Sequence, residues 1–337
     1  MAKQRKSKLK MKKKFKTLFL LLFVVIIVFI CTNKLDIKSF KIASKPFKYV
    51  YNKLNQTITN GKLEDEYNKC ILNPINDENF NETTLNKKNE IINYAKSNNL
   101  KYTYEDIDYA YQINYAENDS LYGASLIKLV AALYLIDKDV DLNQTIKYES
   151  KYKQAYSEGM EKHKYGEKIM ISELMKYAIT YSDNTAYLML YTFIGRNNLK
   201  EYAQSLGAKS IFTGSGDNFG NQTTYDTNIY LKKAYELINT KENGILLKEA
   251  MLNERKNKLS IPDKVVIAHK YGSYNEYYHN IGINFEDKYL ISVLTTKGEN
   301  ASGKYINKLS ELTYEFDKLY KDNVKSYCYE LVYNKKD

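Results

Sequence analysis

Residues 126–136 read LIKLVAALYLI, apolar all round except at Lys128. A helix that is apolar on every side belongs at the centre of a fold, so this stretch predicts a buried central helix. A lone ammonium in such a helix is expensive to bury without partners. Ser125, three residues before Lys128, offers a reason for it. Residues three apart at a helix start share one face, so the Lys128 amine can reach the Ser125 hydroxyl. A buried lysine can lose its proton near neutral pH and act as a base. The helix N-terminus favours an oxyanion forming beside Ser125.

Working outward from this helix, residues 85–100 carry a helical pattern with Ile91, Ile92 and Ala95 on one face. Residues 101–115 (KYTYEDIDYAYQINY) alternate and predict one or two strands. Residues 139–225 read as mainly helical, with loops at 157–167 and 213–224. Strands are expected at 264–268, 280–285 and 288–296. An amphipathic helix over 304–322, with Ile306, Leu309, Leu312 and Phe316 on one side, closes the pattern.

The chain has 337 residues and a net charge of +11. Nine cations and no acid fall within residues 1–16, which leaves +2 for everything that follows. A nearly neutral body has no electrostatic footprint for a polyanion, so no nucleic-acid partner is expected. An unbroken apolar run from Leu18 to Cys31 follows the basic block. Its 14 helical residues would span roughly 21 Å. Thr17 and Thr32 can extend the run and Lys16 can snorkel. No small-x-small cleavage site follows closely, so residues 17–32 are read as an uncleaved signal anchor. The basic segment 1–16 then stays inside and the rest lies outside, at the cell membrane. A cleaved signal and a secreted chain are the alternative. Residues 33–85 read as a stalk or loose extension, and 326–337 as a tail.

Of the three cysteines, Cys31 lies in the apolar run. Cys70 and Cys328 pair if the chain ends meet, or stand as two unreactive thiols. His163, His269 and His279 lack metal-ligand spacing, and neither a metal nor a cofactor is expected. A monomer is expected.

Three Ser-x-x-Lys tetrads occur, at Ser7/Lys10, Ser125/Lys128 and Ser150/Lys153. Only the second opens a buried apolar helix. Ser182-Asp183-Asn184 occurs once, between two helical segments. Its bland reading is a helix N-cap. Its functional reading makes the Ser182 hydroxyl a proton relay and has Asn184 bond Lys128 and a substrate amide. Lys270-Tyr271-Gly272-Ser273 follows the strand-like 264–268. Lys270 would supply charge for a substrate carboxylate and depress the pKa of Lys128. Gly272 would allow close backbone approach, and the Ser273 N–H could join that of Ser125 in an oxyanion hole. A second His-Lys-Tyr-Gly at 163–166 precedes a helix rather than following a strand, and is read as a loop.

In this order the three motifs resemble those of class A β-lactamases and penicillin-binding proteins. The likeness extends to LYGASLIKLVAALYLID, GEKIMISELMKYAITYSDNTAYLMLY, VVIAHKYGSYNEYYHNIGI and KYLISVLTT. It covers residues 86–325. It implies an α/β (α+β) fold of the β-lactamase/transpeptidase type. An antiparallel sheet is flanked by helices, an all-helical subdomain spans about 139–225, and the active site lies between them.

The pattern departs from the family twice. The third motif usually has Thr or Ser where this chain has Tyr271, though Ser273 could substitute. Class A enzymes also carry an Ω-loop Glu, followed four residues later by Asn, that activates the deacylating water. Here residues 212–221 (FTGSGDNFGN) contain no Glu. Asp217 and Asn221 copy the spacing with a shorter acid, and a plain Gly-Asp-Asn turn explains the same residues. The resemblance implies an extracytoplasmic serine hydrolase acting through an acyl-enzyme on a β-lactam or related amide or ester. Two rivals stand beside it: a D,D-peptidase or penicillin-binding relative with slow deacylation and a peptidoglycan-like substrate, and a non-catalytic cell-wall-binding protein.

Overall fold

Five antiparallel strands form the sheet on which the site is built. They are β1 (Lys101–Asp106), β2 (Gln112–Tyr115), β7 (Ala268–Tyr274), β8 (Tyr277–Asn284) and β9 (Tyr289–Thr295), in the order β2-β1-β9-β8-β7. Two-stranded ribbons join β3 (Leu121–Tyr122) to β6 (Asn221–Gln222), and β4 (Thr145–Lys147) to β5 (Lys168–Met170). The computed structural model describes residues 45–73, 75–212, 218–259, 261 and 265–334. The expected basic segment and signal anchor lie outside these residues. No helix among the described residues is long and apolar enough to cross a membrane.

Nine α-helices are present among the described residues: α1 (Lys45–Ile71), α2 (Glu82–Ser97), α3 (Ile127–Asp137), α4 (Ile171–Thr180), α5 (Asn184–Ile194), α6 (Arg196–Ser205), α7 (Thr224–Thr240), α8 (Gly244–Leu252) and α9 (Gly298–Tyr333). The chain divides into residues 1–65 and 66–337, and everything below concerns the second unit.

The strands present different residues to the two faces because side chains alternate along a strand. On β9, Leu290 and Leu294 join the core made with α3 and the shorter helices. Tyr289, Ile291 and Val293 face the other core, with Ile91 and Ala95 of α2 and Ile306, Leu309 and Phe316 of α9. The second core is rich in tyrosine, and its hydroxyls find partners. Tyr102 meets Thr313 at 2.8 Å and Tyr104 donates to Asp317 at 2.7 Å. Helix α3 is buried on all sides, as its composition predicts, with Lys128 among its nine buried residues.

Two boundaries differ from the sequence reading. The closing helix continues to Tyr333 rather than ending near 322. Phe316, Tyr320, Val324 and Cys328 recur every four residues and are all buried, so the apolar stripe extends with the helix. The strand expected at 264–268 begins instead at Ala268 and runs to Tyr274, with β8 pairing it in register from Ala268↔Ile283 to Tyr274↔Tyr277. The Lys270 motif is therefore on the strand rather than after it.

Cys70, near the end of α1, is disulfide-bonded to Cys328 of α9. The bond closes a loop of 258 positions between Cα atoms 5.7 Å apart. A crosslink over so long a loop chiefly restricts the unfolded chain. Cys328→Ser should lower unfolding stability by about 2–5 kcal/mol. Equilibrium urea unfolding with and without reductant checks this, and reductant should leave the variant unchanged.

Candidate active site

The turn that carries Ser125 is shaped by what cannot fit there. Ala124–Leu126 form a 3-10 turn leading into α3, and Ala124 adopts a left-handed φ of 46°. At Gly123 an added Cβ would lie 2.2 Å from the Gln222 side chain. At Gly272 it would lie 2.6 Å from the Gly123 carbonyl oxygen. Both glycines let strand edges close onto the turn that carries Ser125.

Lys128 is fully buried, and its amine joins the first two motifs, while Ser182 links them to the third. Nζ lies 2.9 Å from Ser125 Oγ, 2.6 Å from Asn184 Oδ1, 2.5 Å from the Ser182 carbonyl oxygen and 3.4 Å from Ser182 Oγ. Lys270 Nζ donates to Ser182 Oγ at 3.0 Å and to the Tyr271 carbonyl at 2.9 Å. The Ser182 hydroxyl thus stands between two amines. In Ser182-Asp183-Asn184, separate residues provide the helix cap and the contacts to Lys128. Asp183 is the N-cap of α5 and accepts from Ala186 N at 2.8 Å and Met160 N at 2.9 Å. That leaves Ser182, at a left-handed φ of 53°, and Asn184 to face Lys128.

The hairpin turn aims Ser273. Tyr274 and Tyr277 flank a two-residue turn, so they form a hydrogen-bonded pair. Pairs alternate along an antiparallel ladder, which leaves Ser273, opposite Tyr278, in a non-bonded pair. Strand β7 is the sheet edge, so the Ser273 N–H points off the open edge. Gly272, on that edge, packs against the nucleophile turn.

A sequence model described as the beta-lactamase enzyme family matches residues 85–316. The chain belongs to the beta-lactamase enzyme family. Among solved structures, it is similar to TLA-3 extended-spectrum β-lactamase, at TM-score 0.62 and 21% identity over 69% of this chain and 98% of that one. It is similar to a mutant of PBP-A in an acyl-enzyme complex with penicillin G, at TM-score 0.60 and 18% identity over 68% and 95%. A β-lactamase from Burkholderia phymatum matches at TM-score 0.60 and 17% identity over 69% and 98%. No curated protein matches the chain.

In this chain aromatic rings surround the two lysines. Phe219 and Tyr187 place their rings 5.7 and 5.8 Å from Lys128 Nζ. The Tyr187 hydroxyl donates to the Asn218 carbonyl at 2.7 Å, tying α5 to this loop. Asn221 is on β6 opposite Tyr122, and Asp217 lies outside the described residues. Sequence reading missed Phe219 and Tyr187, since an aromatic residue in a tyrosine-rich chain carries no motif. Tyr271 is half-buried, with Lys270 Nζ 4.3 Å from its ring centre. The Ser273 hydroxyl, two residues on and on the same strand face as Tyr271, donates to Glu299 at 3.4 Å. No group of three His, Cys, Asp or Glu among the described residues could hold a metal ion.

Burial holds the Lys128 amine well below the ordinary lysine range, and the Lys270 charge pushes it further down. Asp183 and Glu254 oppose both. Burial also takes Lys270 down to about 8, against the pull of Glu254. Both amines therefore lose a proton more readily than an exposed lysine. Glu254 itself meets His269 in a buried pair behind β7, another partnership without a sequence signal. Removing the Lys270 charge favours protonated Lys128, so Lys270→Met should raise the Lys128 pKa. Glu254→Gln should lower it. Titration of the lysine ε-carbons by NMR in isotopically labelled protein reads both directions.

Proposed function

We propose that the chain is an extracytoplasmic serine acyl-transfer enzyme, tethered by residues 17–32, that forms an acyl-enzyme on Ser125 and releases it slowly. The observation that carries the reading is the Lys128 amine, buried and shared by Ser125, Ser182 and Asn184. Neutral Lys128 takes the Ser125 proton as Oγ attacks an amide or ester carbonyl. The Ser125 and Ser273 N–H groups receive the oxyanion. The proton reaches the leaving atom through the Ser182 hydroxyl, the carbon–leaving-group bond breaks, and Ser125 holds the acyl group as an ester. Lys270 binds a substrate carboxylate, and Asn184 the substrate amide. The substrate class is a β-lactam or a related amide or ester.

Phe219 supports slow release. Its ring occupies space beside Lys128, and a ring cannot draw a proton from water. This favours the D,D-peptidase or penicillin-binding behaviour over efficient β-lactam hydrolysis, and similarity to PBP-A is consistent with it. The disulfide supports an extracytoplasmic site, since such bonds persist in oxidising compartments. The basic block before residues 17–32 supports an anchor with its N-terminus inside.

Full-length protein in detergent, treated with penicillin, should show by intact mass one adduct that outlasts removal of free drug. Ser125→Ala should abolish it, and Lys128→Ala should slow its formation by at least about a hundredfold. Labelling should rise with pH as Lys128 loses its proton. Rapid turnover of a chromogenic cephalosporin would return the reading to an efficient class A β-lactamase. Neither adduct nor turnover would remove β-lactams as substrates.

A further inference from the structure

A cavity of about 610 Å³ opens on the helical side of the site. Tyr148 and Tyr165 line it as a tilted ring pair 5.0 Å apart. Tyr156 also lines it and is 88% exposed, while its backbone is held at a left-handed φ of 58°. A bulky residue pays for that conformation only where its surroundings enforce it. Here the enforcement comes from the catalytic side. Asn184 donates its backbone N–H to the Tyr156 carbonyl at 3.2 Å and its side-chain amide to the Ala155 carbonyl at 2.9 Å. The same Asn184 accepts from Lys128. The cavity wall is therefore one residue removed from the amine that serves Ser125.

The lining has a definite chemistry. Lys153 and Lys164 are exposed, and neither makes an ion pair among the described residues. Glu161 is the one acid in the lining, so the cationic charge is in excess. Ser157 and Thr185 hydroxyls bond each other at 2.7 Å, and Thr185 also accepts from the Gln154 backbone. Gln154 is exposed in the same lining as the two lysines. Flat amphipathic rings, amide donors and two cations suit a polyhydroxylated ring bearing a carboxylate better than an apolar acyl chain.

We infer that this cavity binds a carboxylate-bearing saccharide. Its role as an extension of the acyl substrate rests on the function proposed above. The saccharide lies across the tyrosine rings with its carboxylate between Lys153 and Lys164.

Calorimetric titration of the full-length chain in detergent tests this with three probes: trigalacturonic acid, neutral galactotriose and a tetra-aspartate peptide. The acidic trisaccharide should bind best. The double variant Lys153→Gln, Lys164→Gln should weaken it at least about tenfold, and Tyr156→Ala severalfold, with circular dichroism unchanged. Ser125→Ala should retain binding. Equal affinity in wild type and the double variant, equal binding of galactotriose, or tighter binding of the peptide would each overturn the assignment. Penicillin labelling is read on the same wild-type sample. Binding without an adduct removes the acyl-enzyme reading and leaves the saccharide site. An adduct without binding removes the saccharide site alone.

Discussion

One amine in an apolar helix sets the terms for the rest of the structure. Helix α3 could be filled with leucine, isoleucine and alanine and would still be a core helix. Lys128 makes it something else, because a buried ammonium must be neutralised or surrounded by acceptors. The fold does both. Acceptors arrive from the 3-10 turn and from the loop before α5, while Lys270 on the edge strand discourages protonation. Three distant segments of sequence are thereby held to one point. Gly272 matters because a methyl group there would push the edge strand off the Ser125 turn, and Gly123 because one there would meet Gln222 of β6.

The two lysines are both buried and both shifted down, but by different neighbours. Glu254 opposes the fall at each, while the Lys270 charge adds to it at Lys128 and the Lys256 charge at Lys270. The aromatic rings beside Lys128 act against its loss of charge. Phe219 and Tyr187 present faces that a cation favours but that offer no proton acceptor of carboxylate strength.

The sequence made the central helix, the three motifs and the two-faced sheet legible, since each rests on local patterning. The apolar run around Lys128 could hardly be anything but core, and the Tyr-rich alternation at 101–115 becomes β1 and β2. What escaped was set by partners distant in the chain. The register with β8, rather than local composition, starts β7 at Ala268 and places Lys270 within the strand. Ser273 was legible as a hydroxyl but not as one turned towards Glu299. The buried Glu254–His269 pair joins residues that carry no motif, and the pairing of Cys70 with Cys328 depends on α9 extending past residue 322, where the sequence pattern ended it.

That pairing also decides how the chain would bear a mechanical load. A pull applied at the amino end and carried along α1 meets Cys70 before it meets any strand of the sheet. There the covalent bond shares it with α9, whose buried stripe runs the length of the second core. Force is delivered to α9 as a whole rather than first to β1, which lies inside the sheet between β2 and β9. The strand that carries Lys270 and Ser273 lies beyond this staple in the force path, so the geometry around Ser125 is insulated from tension on the leading segment.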